Sequence, residues 1–125
     1  EETLLRIHRK KTAGLIRASI RIGAMAVGGD PAHLDALTMY GGDIGLAFQI
    51  ADDLLDVTAS SEQTGKPAQA DAARNKPAFP SVMGMDASRR RARELCEAAV
   101  SELIGFPGDT SVLLWLAEYA IFRES

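Results

Sequence analysis

Two interruptions rich in Gly and Pro, "GGDP" at 28–31 and "GFPGD" at 105–109, divide a chain whose apolar residues otherwise recur at helical spacing. Such residues stop one helix and start the next. Before the first break, Leu4, Ile7, Lys11, Leu15, Ala18 and Ile22 form one stripe at steps of three and four, which predicts a helix from about Glu2 to Val27. After it, Leu34, Leu37, Gly41, Ile44, Gly45, Phe48, Asp52 and Leu55 share a stripe from about Pro31 to Val57. A third helix is expected from Asp86, a plausible N-cap, with Ala92, Leu95, Cys96, Ala99, Val100, Leu103 and Ile104 inward. A fourth spans about Asp109 to Arg123, with Val112, Leu113, Leu116, Tyr119 and Ala120 inward. No segment alternates like a strand, so the expected class is all-α. Residues 58–76 hold no large apolar side chain and read as a loop, followed by a short helical turn near Pro77 to Met83. A loop of that length is usually an active-site lid or a disordered segment.

Composition narrows the function classes. The chain has 125 residues, a net charge of -3 and 46% hydrophobic residues, which suits one globular domain. No clustered basic surface marks a nucleic-acid footprint. Arg89, Arg90, Arg91 and Arg93 read as a solvated helix face. A single cysteine, Cys96, excludes an internal disulfide and fits a reducing compartment. No apolar run is long enough to span a bilayer. The opening "EETLLRIHRKK" interleaves charge with apolar residues and is not a signal peptide. It has no initial Met, so the chain reads as a piece of something longer.

Against this background "FQIADDLLD", 48–56, is anomalous. It sets three carboxylates in an apolar run. At about 100° per residue, Gln49, Asp52 and Asp56 extend the inward stripe of Gly41, Ile44 and Phe48, while Asp53 turns to the flank. Two carboxylates about 6 Å apart repel by roughly 3 kcal/mol at an effective dielectric near 20, and burial adds desolvation. A cation, a proton or basic side chains must offset this. Carboxylate oxygens with room for water suit Mg²⁺, which commonly bridges to substrate phosphates. The plain alternative is a helix surface with its acids in solvent. Lys11, on an otherwise apolar stripe, either snorkels outward or supplies an inward point charge for phosphate. Lys66 and Lys76 flank the loop and could close on the same anion. His8 and His33 have no partner at metal-ligand spacing and read as structural, and Cys96 as a small core residue.

The stretch "IGLAFQIADDLLD", 44–56, resembles the second aspartate-rich motif of the trans-polyprenyl diphosphate synthases. "LLRIHRKKTAGLIRASIRIGA", 4–24, resembles that family's lysine-threonine helix. "GKPAQADAARNKPAFPSVMGMDASRRRARE", 65–94, resembles the loop and helix after the motif, and "LAEYAIFRES", 116–125, the C-terminal helix. The similarity covers the whole chain and is strongest to the bacterial short-chain, farnesyl-type branch. Two departures stand out: Gln69 where a second loop Gly is usual, and "KPAFP" where "KxTYP" is usual.

The resemblance implies the C-terminal helices of an isoprenoid synthase (class I terpenoid synthase) bundle, covering 1–125, with 58–76 as a mobile active-site loop. It implies prenyl transfer from an allylic diphosphate to isopentenyl diphosphate, with three Mg²⁺ ions (or Mn²⁺) at the complete site and a short-chain product such as farnesyl diphosphate. By the same match, Lys11 binds the allylic diphosphate, and Thr12 and Gln49 lie near the developing cation. Asp52 is a direct metal ligand. Asp53 and Asp56 act mostly through metal-bound water. Lys66 and Lys76 are further diphosphate-binding lysines. The family's first aspartate-rich motif is not in this sequence, so the missing N-terminal half is an expected partner, and these 125 residues alone are expected to be inactive. Cytoplasmic location and a homodimer follow from the family. A non-catalytic synthase-like regulatory subunit and a related class I terpene cyclase are the alternatives.

Overall fold

The structure, a computed structural model, describes residues 12–64 and 78–122, with side chains other than those of 60–64. It holds α1 (Thr12–Ala26), α2 (Pro31–Thr64), α3 (Phe79–Met83), α4 (Met85–Ser101) and α5 (Ser111–Phe122). No strand occurs among the described residues, and the chain is all-α. Helix α2 is 34 residues long, about 50 Å at 1.5 Å per residue. It is the spine, and α1, α3, α4 and α5 all pack on it.

Local chemistry sets the start of α2. The Asp30 side chain accepts the His33 backbone N–H at 3.0 Å, and Pro31 follows at the first helical position, where its missing N–H costs nothing. That bond holds the Asp30 carboxyl below its ordinary pKa. The His33 ring meets Asp30 Oδ2 at 2.8 Å and the Phe106 ring at 5.0 Å, so His33 is structural. Helix α1 ends on Gly28, whose φ of 74° is the left-handed conformation that glycine adopts without strain.

Helix α1 lies directly against α2. A Cβ at Gly45 would stand 2.6 Å from Ala13 Cα, and one at Gly41 would stand 3.0 Å from Arg17 Cα. The two backbones therefore meet closely at both glycines, most tightly at Gly45. Farther along, Leu46, Ala47 and Ile50 pack with Phe79, Ala92 and Leu95 in one core. Tyr40 and Ile44 pack with Cys96, Ala99, Leu103, Ala117 and Ala120 in a second. Two side-chain donors tie α5 into that second core. The Tyr40 hydroxyl donates to the Leu113 carbonyl at 2.6 Å, and the Cys96 thiol donates to the Ala117 carbonyl at 2.9 Å.

Several boundaries and faces differ from expectation. Helix α2 runs on to Thr64, so 58–64 is helical, and residues 65–77 lie outside the description. The extension is polar and leaves no apolar periodicity to read. Asp86 sits in the first turn of α4, not at its cap, because Gly84 both ends α3 and begins α4. In α1 the packed face is Ala13, Ile16 and Ile20. Ala18 and Ile22 are exposed, and Leu15 is 70% exposed. Ile104, at 82%, is also outward, as are Val112, Leu116 and Tyr119 in whole or part. Periodicity identifies apolar faces, but α1 and α5 each have more than one. The face bearing small residues wins, because Ala13, Ala117 and Ala120 allow close approach. The arginine run behaves as a solvated face: Arg89, Arg90 and Arg93 are exposed, and Arg91 pairs with Glu94 at 3.2 Å.

Two outcomes follow from this packing. Gly45→Ala forces Ala13 and the α1 backbone outward, so it should cost about 1–3 kcal/mol, the range for overpacking, and lower the melting temperature of the full-length protein. Burial raises the Tyr40 phenol from 10.0 to about 12. The folded chain thus favours the neutral phenol. That stabilisation is whole below pH 10 and is lost as pH climbs toward about 12. Tyr40→Phe should be less stable by about 1 kcal/mol at neutral pH, through loss of one hydrogen bond. Denaturant melts should show the gap narrowing between pH 10 and 12.

Candidate active site

The acids expected at a functional site all stand on α2, where the helix leaves the cover of its neighbours. Gln49 is 7% exposed and Asp53 3% exposed. Asp52 is half-buried and Asp56 is exposed. The expected inward face of Gln49, Asp52 and Asp56, with Asp53 at the flank, is therefore corrected. Asp53 points inside with Gln49, and Asp52 and Asp56 lie on the open side. The cause is that cover changes along the helix axis as well as around it. Phe79 closes the side on which Asp53 lies, whereas Asp56 stands almost two turns beyond Gln49, past the Thr12 contact.

The buried part is a continuous chain of hydrogen bonds across three helices. The Thr12 hydroxyl, on α1, donates to Gln49 Oε1 at 2.8 Å. Gln49 Nε2 donates to Asp53 Oδ1 at 3.1 Å. The Phe79 backbone N–H, at the first residue of α3, donates to Asp53 Oδ2 at 3.0 Å. A buried carboxylate is costly unless such bonds satisfy it. The same bond fills one of the orphan N–H groups at the start of α3. The Phe79 side chain, 1% exposed, fills the core below. Sequence reasoning did not find Phe79 as a site residue. Its contribution is a backbone donor from 26 positions away, for which the side-chain pattern carries no signal.

Thr12, Gln49, Asp52, Asp53 and Asp56 are thus brought to one stretch of α2, about two turns before its end. Lys11, Lys66 and Lys76 lie outside the described residues. Among the described residues no group of three or more His, Cys, Asp or Glu side chains could hold a metal by itself. That does not disfavour Mg²⁺, which takes one or two carboxylates and completes its shell with water and phosphate oxygens. Asp52 and Asp56, one turn apart on the open side, are hard oxygen donors of that kind.

Comparison with known proteins identifies the family. A family model described as Polyprenyl synthetase matches residues 1–103. The chain is 40% identical to the farnesyl diphosphate synthase of Escherichia coli, over 98% of this chain and 42% of that protein. It is 41% identical to the heterodimeric geranylgeranyl pyrophosphate synthase large subunit 1 of Arabidopsis thaliana, over 95% of this chain and 32% of that protein. It also matches a crystal structure from Marinomonas sp. MED121, assigned as a farnesyl-diphosphate synthase, with a TM-score of 0.76 at 34% identity. That match covers 94% of this chain and 39% of the other. The chain therefore spans about a third to two fifths of the length of these relatives.

Gln49→Leu leaves Asp53 Oδ1 without its Nε2 donor. It should lower unfolding free energy by about 1–3 kcal/mol, measured by denaturant melts. Thr12→Val, at the half-buried end of the same chain, should cost less.

Proposed function

The chain belongs to the polyprenyl synthetase family, and from that premise we propose that it supplies one side of a Mg²⁺-dependent prenyl-transfer site. The reaction joins an allylic diphosphate to isopentenyl diphosphate, with a short-chain product such as farnesyl diphosphate. Relatives named for farnesyl and for geranylgeranyl products match at 40% and 41% identity, so the fifteen-carbon product is the finer part of this proposal. The observation that carries the reading is the division of labour on α2. Gln49 and Asp53 are engaged inside by hydrogen bonds, while Asp52 is half-buried and Asp56 exposed on the other side of the helix.

In this reading Asp52 and Asp56 would hold Mg²⁺, with Asp53 supporting them, and the metal would supply Lewis-acid stabilisation of the departing diphosphate. Lys11, Lys66 and Lys76 add fixed positive charge for the same anion. The allylic carbon–oxygen bond breaks with its electron pair going to the diphosphate. The double bond of isopentenyl diphosphate then forms the new carbon–carbon bond, and a proton leaves. Thr12 contributes through its polarity. Its proton is committed to Gln49 Oε1, so the hydroxyl oxygen keeps lone pairs for a developing cation. Apolar surroundings keep water from that cation. The remainder of the synthase, a homodimer and a cytoplasmic setting complete the proposal on family grounds. No helix among the described residues is long and apolar enough to cross a membrane.

The test is turnover by the full-length protein with Mg²⁺, an allylic diphosphate and isopentenyl diphosphate, with product length read by mass spectrometry. Asp52→Ala should reduce kcat by about 10³-fold or more, equivalent to several kcal/mol of lost charge stabilisation. The 125-residue polypeptide alone should give no product. A full-length protein that consumes neither diphosphate would end this reading.

A further inference from the structure

We propose that Asp53 is a positioning residue that sets the hydrogen-bond polarity of the site and is not a ligand of the metal. The proposal rests on the prenyl-transfer reading for its kinetic consequences, but its structural basis is separate. Two donors reach the Asp53 carboxylate on separate oxygens: Gln49 Nε2–H at 3.1 Å and the Phe79 N–H at 3.0 Å. A side chain that receives two donors on two atoms must offer two acceptors. A carboxylate does so, and an amide of the same shape offers one acceptor and one donor. The acid at position 53 is therefore explained by its protein partners, at a site only 3% exposed.

The direction of every further bond follows from that acid. Because Asp53 takes the Nε2 end of Gln49, Oε1 is turned to Thr12. Because Oε1 is an acceptor, the Thr12 hydroxyl must donate to it. The Thr12 oxygen then presents only lone pairs on its other side. Reverse the first step, and the rest reverses. With an amide at 53, one arrangement keeps the Phe79 bond and turns the Gln49 amide around, so that Nε2–H faces Thr12. The hydroxyl must then accept from Gln49 and aim its own proton outward. A carbocation would meet the positive end of that O–H dipole. One acid thus fixes the sign of a dipole two side chains away.

The test compares Asp53→Asn, Asp52→Asn and the exchange double variant Gln49→Glu/Asp53→Asn in the full-length protein. The exchange moves the carboxylate to 49 and the amide to 53. It keeps all three bonds satisfied: the Thr12 O–H to the carboxylate at 49 and the Phe79 N–H to the amide oxygen at 53 run in the original direction, and only the middle bond, now from the position-53 amide N–H to the carboxylate at 49, is reversed. Three readouts are needed: kcat against KM, the Mg²⁺ concentration for half-maximal rate, and Mn²⁺ binding without substrate followed by electron paramagnetic resonance. Asp53→Asn should lower kcat roughly 10- to 100-fold, that is one to two factors of ten at about 1.4 kcal/mol each. KM, the Mg²⁺ requirement and Mn²⁺ binding should stay within about twofold. Its melting temperature should fall. The exchange should recover the melting temperature and most of kcat. Asp52→Asn should raise the Mg²⁺ requirement and weaken Mn²⁺ binding tenfold or more. The proposal is overturned if Asp53→Asn weakens Mn²⁺ binding as Asp52→Asn does, or if the exchange fails to recover the melting temperature. If the wild-type protein shows no prenyl transfer, the functional reading fails. The melting and Mn²⁺ measurements then still decide the role of Asp53.

Discussion

The contact between Ala13 and Gly45 is the constraint on which the rest depends. At that point two helix backbones approach so closely that a β-carbon on α2 would overlap the α-carbon of Ala13. The hydroxyl of Thr12 is short, and its bond to Gln49 spans 37 positions of sequence. It reaches the amide only because the helices have no side chain between them one turn away. A wider spacing would leave both polar groups to water and separate α1 from the carboxylate system. The glycine does no chemistry, yet it sets the distance at which the polar groups meet.

From that contact outward, α2 changes character along its length. Near Tyr40 and Ile44 it is a core helix, enclosed by α1, α4 and α5. Around Gln49 and Asp53 it is still enclosed, but the enclosed groups are polar and each is satisfied by a neighbour. On the other side of the same turns Asp52 is half-buried and Asp56 exposed. A single helix thereby carries apolar packing, then a buried hydrogen-bond system on one side with the more open acids on the other. The enclosed polar groups limit how the helix can rotate or bend, and so they hold the direction of the open acids. Buried networks of this type rigidify when every member is satisfied.

The helical class and the anomaly at 48–56 were legible in the sequence, because spacing and the clash of acids with an apolar run are local signals. The roles of the individual acids were not. Angles around a helix made Asp52 and Asp56 inward, but burial depends on which neighbour lies at each height. Phe79, which covers Asp53, arrives from a distant segment. Family likeness set Thr12 and Gln49 near one developing cation, but their hydrogen bond to each other had no signal within either residue's own helix. The polar stretch after Val57 remained helical without any apolar mark. Ile104 and Leu15 were placed inward because they are apolar, but the faces chosen for packing were those with alanine and glycine, which come closest.

Helix α5 shows what two modest bonds can accomplish. Its sequence is apolar almost all round, and an apolar cylinder resting on an apolar bed has many nearly equivalent settings. The hydroxyl of Tyr40 and the thiol of Cys96 remove that degeneracy. They address the carbonyls of Leu113 and Ala117, which are one turn apart along the same edge. Two fixed points on one edge index both the rotation and the translation of the helix, as two pins index a dial. Shape complementarity is then relieved of choosing the setting. The outward positions, Val112, Trp115 and Tyr119, can vary in character without shifting the seat.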